Sequence, residues 1–587
     1  ATGNKVFVNG GSVTANVTGG FGGTDATDNH VTVTSGSVGG TIRGAQSAGT
    51  AHKNTVEIKG GNVHANILGA DAVGAATENK VTTTGTVTGN ITGAKSTSGA
   101  VTKSVVTIKG NVTGNVTGGQ TTGAANANTV DLGAVTINGS VTGGAGSTTS
   151  NNKVNMSGTT VSGVVTGGAG SGTGNALTVK GNNRAGNIAG FQKLTFSLGN
   201  LNRTNPMLRL TNGTATNITF GSIAFEGTPE PKVGQITLVE KSAPSIHVAD
   251  YAGVRGRTEG DFEYDLDTDT QTANAKKILF DGYRFRNAEV RTTASGTDTW
   301  AGRSRIGNST VNNRLTITGG STTSAYGGWT AGTGTTAPAA QQNNTTGNMV
   351  TLKAGTVTNL YGGYTTSSNG RATGNTVNVN GGAATNVTGG HTAAAAGRAA
   401  GNIVNINAGN VVHVTGGFGA AQANTNIVTV KANVTGSVIG GKSVTGTASG
   451  NILTLSAVHI GGSVTGGQGA ITKDNEINLS GTRVVGAVTG GTAGAAGNKL
   501  RVLKKGAAAQ SLRNFDQVSF TVGSDLANGD TMLTLRGNTN LSYSAIVKPT
   551  GAVAGTWLGS SMEKNAHLIR MNGGTLGLTG YTHAVSV

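Results

Sequence analysis

The 587-residue sequence contains no cysteine, six prolines and few charged residues. The absence of cysteine excludes disulfide scaffolds and thiol chemistry, and it is compatible with export from the cell. Glycine accounts for 101 residues, well above the usual share of ~7%, but with so little proline the excess does not indicate collagen. Charged residues make up 11% of the chain against a usual ~25%, so Thr, Ser, Asn and Gly must form most of the surface.

The formal net charge of +17 arises because the chain has 42 basic residues but only 25 acidic ones. The basic residues are scattered, so we expect attraction to anionic glycans or cell surfaces and no binding to nucleic acid. No apolar run reaches the ~18 residues of a membrane helix, so we expect no membrane insertion by this chain. The opening residues ATGNKVFVNG lack a signal-peptide pattern, and an exported form would therefore be a mature or excised piece.

A repeat organises the chain. An Asn that opens a short segment of alternating apolar residues recurs every 23 to 25 residues, with Ser replacing it once. The first series comprises Asn4, Asn29, Asn54, Asn79, Ser104, Asn128, Asn152 and Asn175. The second series, with intervals of 23 to 35 residues, comprises Asn313, Asn348, Asn375, Asn402, Asn426, Asn451, Asn475 and Asn498.

Each repeat unit holds short runs of β-branched residues with a period of two, separated by glycines, and none has helical periodicity. A unit of this size is too short for its own core but fits one rung of a parallel β-solenoid, in which equivalent residues stack. We expect the recurrent Val and Ile to point inward and the glycines to form corners. We expect each Asn amide to form hydrogen bonds with its neighbours one rung away.

The sequence thus predicts an all-β protein with two tandem parallel β-solenoid modules of about eight 24–25-residue rungs each, with capping segments. Similar segments follow each series: FQKLTFSLGN from Phe191 and FDQVSFTVGS from Phe515. Their larger apolar residues are suited to covering an open ladder end. The predicted organisation is module 1 at 1–190, its cap at 191–244, a β-rich inter-module element at 245–305, module 2 at 306–514 and its cap at 515–587.

Aromatic residues mark the first rungs of module 2. The residue after the double glycine is Trp329, Tyr364, His391 and Phe418 on successive rungs, and Tyr326 and Tyr361 precede the first two. Stacked rungs would place these rings roughly 5 Å apart, beside loops lengthened by the long intervals. Exposed aromatics beside variable loops often bind sugars or proteins, so we take these six residues as a candidate ligand-binding site. The alternative is that the rings close the N-terminal end of module 2.

Acidic residues alternate in the inter-module element at Asp261, Glu263, Asp265, Asp267 and Asp269. On a strand they would share one face. Asp265, Asp267 and Asp269 are therefore a candidate calcium site, although the run lacks the Gly and Glu of an EF-hand loop. The alternatives are pairing with nearby arginines and plain solvent exposure, and we otherwise expect no cofactor.

Catalytic signals are weak. The segment GSVIGGKS, residues 436–443, matches a phosphate-binding pattern, but its glycines occupy the ordinary double-glycine position of a rung. No nucleophile elbow occurs, and the rungs contain few carboxylates for acid–base chemistry. We therefore expect no enzyme activity, with a glycan-cleaving lyase or hydrolase as an alternative.

The Gly/Thr/Asn/Val rungs ending in V-T-G-G, the lack of cysteine and the scarcity of charge resemble the passenger region of bacterial type V autotransporters and related β-helical surface adhesins. The resemblance covers the two repeat blocks. Autotransporters end in an outer-membrane β-barrel of alternating strands of ~10 residues, and no such series precedes Val587. Either the barrel lies outside this sequence or the family differs.

The resemblance implies an extracellular or cell-surface adhesin that binds host or neighbouring-cell glycans or surface proteins. A second hypothesis is a self-associating extracellular filament or surface-layer subunit, because two tandem modules with matched ends could stack head to tail. The glycan-cleaving enzyme is the third.

Overall fold

A computed structural model describes residues 1–199, 205–227, 234–252, 254–331, 343–367, 369–492, 495–523, 526–546 and 566–580. It confirms the predicted fold class: 62% of the protein is strand and 1% is helix, and the strands form about 20 turns of parallel β-solenoid. The described helices are two short 3₁₀ turns, Phe220–Ser222 and Tyr543–Ala545. Among the described residues, no helix has the length and apolar character needed to cross a bilayer.

Two compact units make up the chain. The first comprises Ala1–Arg257 and Tyr264–Gly282, and the second comprises Thr258–Glu263 and Tyr283–Val587. Residues predicted as the inter-module element therefore belong to both units.

Three parallel sheets form the repeats of the first unit. The first sheet contains Lys5–Val13, His30–Val38, Thr55–Ile58, Asn62–Val63, Lys80–Thr83, Thr86–Val87, Val105–Ile108, Thr129–Leu132, Lys153–Ser157, Ala176–Lys180, Lys193–Ser197 and Ile223–Glu226. The second contains Val17–Gly22, Ile42–Ser47, Ile67–Leu68, Asp71–Ala72, Ile91–Ser96, Val116–Gln120, Val141–Ala145, Val164–Gly168 and Asn187–Ala189. The third contains Asp25–Thr27, Thr50–His52, Ala76–Thr77, Val101–Thr102 and Ala125–Asn126.

Two further sheets are formed by strands that lie before residue 285. One contains Thr136–Ile137, Thr160–Val161, Asn183–Ala185, Leu208–Leu210, Gly234–Lys241, Lys277–Arg284, Phe262–Thr268 and Val254–Glu259. The other contains Thr216–Ile218, Ile246–Val248 and Asn274–Ala275. Parallel pairing gives way here to antiparallel pairing, between Gly234–Lys241 and Lys277–Arg284.

A 15-stranded sheet dominates the second unit. It contains Glu289–Ala294, Asp298–Ser304, Arg314–Thr330, Met349–Thr365, Thr376–Thr392, Ile403–Gly419, Ile427–Val430, Val438–Ser443, Ile452–Ser456, Val464–Gln468, Glu476–Ser480, Val488–Gly491, Lys499–Lys504, Leu512–Arg513 and Gln517–Phe520. A flanking sheet contains Thr310–Val311, Thr345–Thr346, Arg371–Thr373, Arg398–Ala400 and Gln422–Asn424. Two smaller sheets contain His459–Ile460, Arg483–Val484, Ala507–Ala509, Thr531–Leu535 and His567–Met571, and then Thr539–Ser542 and Leu576–Thr579.

The core consists of apolar columns that run from rung to rung, as the repeat predicted. One column of the second unit pairs equivalent residues strand by strand: Leu315, Val350, Val377, Val404, Val428, Leu453, Ile477, Leu500 and Val518. All are buried. Each buried aliphatic side chain contributes roughly 1.5–3 kcal/mol, so the columns provide the main driving force for stacking.

The recurrent Asn residues form a buried ladder of side-chain amides, which confirms their predicted role. In the second unit each Asn Nδ2 donates to the Oδ1 of the Asn one rung further on, at 2.8–3.0 Å from Asn313 through Asn498. The same Oδ1 also accepts the backbone N–H of the preceding Asn, and the second Nδ2 proton goes to a backbone carbonyl. Every polar atom of the amide is thus satisfied without water.

The double glycines lie inside strands, and the prediction that they form corners is wrong. Gly440 and Gly441 belong to the strand Val438–Ser443 and have no positive φ. A Cβ on Gly440 would lie 2.4 Å from the carbonyl oxygen of Gly466, and one on Gly441 would lie 2.6 Å from Asn451 Nδ2. The glycines therefore leave room for the next rung and for the Asn ladder.

The turn before each Asn is left-handed instead. The preceding residue has a positive φ on rung after rung, for example Lys53 at 54°, Gly401 at 62° and Thr425 at 53°. Glycine adopts this conformation without a Cβ clash, whereas a β-branched residue such as threonine is strained there.

Parallel pairing continues beyond residue 190. Leu194 aligns with Leu177 on one side and with Ile223 on the other, so the residues predicted to cap module 1 extend its ladder. The proposed domain boundaries stay predictions, and residues 524–525, 547–565 and 581–587 of the predicted second cap lie outside the described residues.

Ser104 interrupts the ladder of the first unit, and we predict that Ser104→Asn stabilises it. The Ser104 hydroxyl is buried and has no hydrogen-bond partner among the described residues, whereas a new amide would connect Asn79 to Asn128. The new Asn side chain should fit next to Ala94, the alanine on the rung of Ser104. Asn54 already fits on a rung where Ala45 occupies the equivalent position. At about 1 kcal/mol per hydrogen bond, the gain is about 1–2 kcal/mol.

Amide hydrogen exchange read by mass spectrometry on peptides around residues 79–128 measures this change locally. Ser104→Ala is the control, because it removes the hydroxyl without adding an amide. Equal protection in the two variants would show that the amide adds nothing.

The left-handed turns predict that substitutions on two neighbouring rungs change the free energy of unfolding in opposite directions. Thr425→Gly relieves strain and should raise the free energy of unfolding by about 1 kcal/mol, after the greater entropy of glycine in the unfolded chain is subtracted. Gly401→Thr should lower it by a similar amount, although a Cβ there contacts nothing within 4 Å. Urea unfolding of the full chain tests both, and a shift of the same sign in the two variants would contradict the explanation.

Candidate functional site

The six aromatic residues predicted as a ligand-binding site lie on adjacent strands of the 15-stranded sheet. Parallel pairing aligns equivalent positions of the strands Arg314–Thr330, Met349–Thr365, Thr376–Thr392 and Ile403–Gly419. The register produces one column of Trp329, Tyr364, His391 and Phe418, and a second of Tyr326 and Tyr361. The structure therefore brings all six together as half-buried side chains, which we call the aromatic ladder.

The rings stack along the direction of rung stacking. Tyr364 and His391 have centroids 4.8 Å apart with planes 13° apart, and His391 and Phe418 have centroids 4.6 Å apart with planes 8° apart. Tyr326 and Tyr361 stack at 5.4 Å and 10°. Because neighbouring rings cover each other's faces, the ladder presents mainly ring edges to solvent. Each such pair adds roughly 0.5–1.5 kcal/mol beyond area burial.

A cation lies at each end of the column. The Arg303 guanidinium carbon is 4.4 Å from the Trp329 ring centroid, and Lys442 Nζ is 5.8 Å from that of Phe418. Both are aligned with the column by strand pairing. The negative ring faces attract these charges, which closes the stack at both ends.

Sequence reasoning missed these end residues, although a signal was present. Arg303 follows Ala301-Gly302 and Lys442 follows Gly440-Gly441, the same position that the aromatic residues occupy. Extending the pattern by one rung in each direction would have found them.

A buried carboxylate fixes the strand that carries Arg303. Glu263 is fully buried and accepts hydrogen bonds from Ser304 Oγ at 2.8 Å and from the Arg305 backbone N–H at 2.9 Å. The Arg305 Nε lies 3.7 Å away. One member of the acidic run is therefore structural.

The fold does not require aromatic residues in this column. The equivalent column of the first unit consists of Phe21, Gln46, Asp71, Lys95, Gln120 and Ala145. Phe21 is 72% exposed there and its paired neighbour Gln46 is polar. The rings of the second unit are thus a local feature added to a common scaffold.

The tyrosine hydroxyls of the ladder stay protonated. Burial raises the pKa of Tyr361 to about 12 and also raises the pKa values of Tyr326 and Tyr364. At neutral pH each can donate one hydrogen bond and accept others.

The acidic carboxylates predicted to bind calcium are engaged in local hydrogen bonds. Asp265 accepts from the Gly256 backbone N–H at 2.7 Å, and Asp267 accepts from the Tyr251 hydroxyl at 2.9 Å. Asp269 accepts from two consecutive backbone N–H groups, those of residues 276 and 277. Within the part of the chain that the structure describes, no group of three His, Cys, Asp or Glu side chains could hold a metal ion.

No protein-family model, curated protein or solved structure matches this chain. The site is therefore characterised by its own geometry: a half-buried stack of rings on a rigid sheet, ended by two cations.

The imidazole in this stack gives a pH prediction. Burial lowers the pKa of His391 from 6.5 to about 4, whereas in the unfolded chain it titrates near ~6.5. Below that pH the unfolded state therefore binds more protons than the folded state. The free energy of unfolding should have its full His391 contribution above about pH 6.5 and fall by up to about 3 kcal/mol as the pH drops to about 4.

His391→Phe removes the proton-binding group, keeps the stack and should flatten this part of the profile. Urea unfolding of the full chain and of the variant between pH 4 and 7.5 provides the comparison, because the other groups titrate equally in both. Parallel profiles would show that the ring is not protected from protonation.

Proposed function

We propose that this protein is a structural and adhesive β-solenoid of a bacterial cell surface, and that the aromatic ladder binds glycans or surface proteins. The observation that carries the proposal is a cluster of six half-buried rings, five of them in stacked pairs. Four of the six occupy a column where the first unit has mostly polar residues. Clustered surface aromatics supply large contact areas at low cost in side-chain entropy and are typical of binding sites.

The scaffold suits this role. The Asn ladder and the apolar columns hold each strand in register, so the binding residues are fixed before a ligand arrives, which lowers the entropic cost of binding. The absence of cysteine and the low charge are compatible with an extracellular location. We propose no catalytic activity and no cofactor.

Substitution of two ladder residues tests the adhesive role. The full chain is applied to an array of neutral, carboxylated and sulfated oligosaccharides and to intact bacterial and host cells. We expect the double variant Trp329→Ala/Tyr364→Ala to bind at least about 10-fold more weakly, since anchor residues of this kind carry most of the binding energy. Phe21→Ala, which removes an aromatic from the same column of the first unit, should bind normally.

Unchanged binding by the double variant would remove the ladder from the function. Shortened oligosaccharides recovered after incubation with the full chain would instead support a glycan-cleaving enzyme.

A further inference from the structure

The rungs that carry the aromatic ladder lie in a segment without acidic residues. Residues 299–473 contain no Asp or Glu. The basic residues in this segment are Arg303, Arg305, Arg314, Lys353, Arg371, Arg398, Lys431, Lys442 and Lys473. The segment that carries the ladder therefore has charge of a single sign. On the preceding rung, Glu289 is aligned with Arg314 and Asp298 with Ser324, and the buried Glu263 binds Ser304.

Two arginines form a column beside the ladder. Arg371 and Arg398 are exposed and directly aligned on neighbouring strands of the flanking sheet. The corner before each arginine packs against the end of the ladder strand: a Cβ on Gly370 would lie 2.5 Å from Thr365 Oγ1, and one on Gly397 would lie 2.2 Å from Thr392 Oγ1. These threonines directly follow Tyr364 and His391, so each arginine opens the flanking strand that comes next in the chain after the ring-bearing strand of its rung.

This arrangement is unfavourable without an anion. Like charges aligned on neighbouring strands, with backbones ~4.8 Å apart, repel each other. Among the residues that the structure describes, neither Arg371 nor Arg398 has an ion-pair partner. An anionic group bound between them would neutralise both, and the planar guanidinium forks suit carboxylate and sulfate oxygens.

The rings next to these arginines also favour oxygen-rich anionic ligands. Ring edges carry partial positive charge, and the stacking leaves edges as the part open to solvent. The hydroxyls of Tyr361 and Tyr364 stay protonated and can donate to carboxylate or sulfate oxygens.

We infer that the aromatic ladder and the Arg371–Arg398 column together bind an acidic polysaccharide that bears carboxylate or sulfate groups. The chain runs along the direction of rung stacking, where the rung spacing is close to the length of one pyranose residue. Its anionic groups contact the guanidinium groups, and its hydroxyls contact the ring edges and tyrosine hydroxyls. This inference rests on the proposed adhesive function and specifies its ligand class.

Nucleic acid is the other polyanion to consider, and the geometry disfavours it. Single-stranded nucleic acids bind proteins by stacking bases on open aromatic faces. Here Tyr364, His391 and Phe418 cover each other's faces at 4.6–4.8 Å, which leaves no room for a base between them.

Binding of the full chain to defined probes tests the inference. The probes are heparin oligosaccharides, polygalacturonate oligosaccharides, neutral dextran oligosaccharides and a single-stranded oligonucleotide, each titrated at two salt concentrations. We expect at least one acidic glycan to bind in a salt-dependent manner and dextran to bind at least about 10-fold more weakly.

A matched pair of double variants separates the site from general charge. Arg371→Gln/Arg398→Gln should weaken acidic-glycan binding at least about 10-fold. Lys353→Gln/Lys431→Gln removes the same charge from exposed positions of the same acid-free segment and should have little effect. The four positions are exposed, and equal urea midpoints would show that both variants are folded.

The remaining outcomes overturn the inference in distinguishable ways. If dextran and acidic glycans bind equally and the arginine variant has no effect, the specificity for acidic glycans is wrong, while the proposed adhesive function stands. Equal weakening by both variant pairs would indicate diffuse attraction without a site. Tighter binding of the oligonucleotide, lost in the arginine variant, would assign the site to nucleic acid. No binding of any glycan, combined with no binding to cells, would overturn the proposed function as well.

Discussion

Vertical registration between rungs is the constraint on which the rest of this structure depends. Apolar columns drive stacking but do not fix the register, because a slip of two residues along a strand would still place one aliphatic side chain against another. The buried amides specify the alignment more strictly. Each has two donors and an acceptor that are satisfied only when the Asn of the next rung lies in place, so a misaligned rung would leave several polar groups buried without partners.

The surrounding sequence features follow from this requirement. The second glycine of each pair leaves space for the Asn amide because it has no side chain, as at Gly441 beside Asn451. The left-handed residue before each Asn turns the chain so that the amide points inward. The aromatic ladder exploits the same registration on the outer surface, because rings stack at 4.6–5.4 Å only if the strands beneath them are aligned.

Much of this could be predicted from the sequence, because a repeat reports equivalence directly. Regular spacing of Asn and of β-branched residues predicted the parallel solenoid, the inward columns, the amide ladder and the proximity of Trp329, Tyr364, His391 and Phe418. Spacing does not report which atoms approach each other. The double glycines were therefore misinterpreted as corners, and the left-handed residue was overlooked because Lys, Ala, Thr and Gly all occupy it. Arg303 and Lys442 were missed because only aromatic residues were considered, although both occupy the same position in the rung. The partner of Glu263 could not be predicted, since Ser304 lies 41 residues away and outside the repeat.

The same amide bond closes rungs of very different length. Asn475 and Asn498 are 23 residues apart and bond at 3.0 Å, whereas Asn313 and Asn348 are 35 residues apart and bond at 2.8 Å. Rung length is thus independent of core geometry, because the strands of both rungs keep the same parallel pairing. Such a scaffold can diversify by insertion as readily as by substitution. Segments of new sequence can be acquired at one rung while the neighbouring rungs keep their packing, so the protein can change what it exposes and still fold by the same rules.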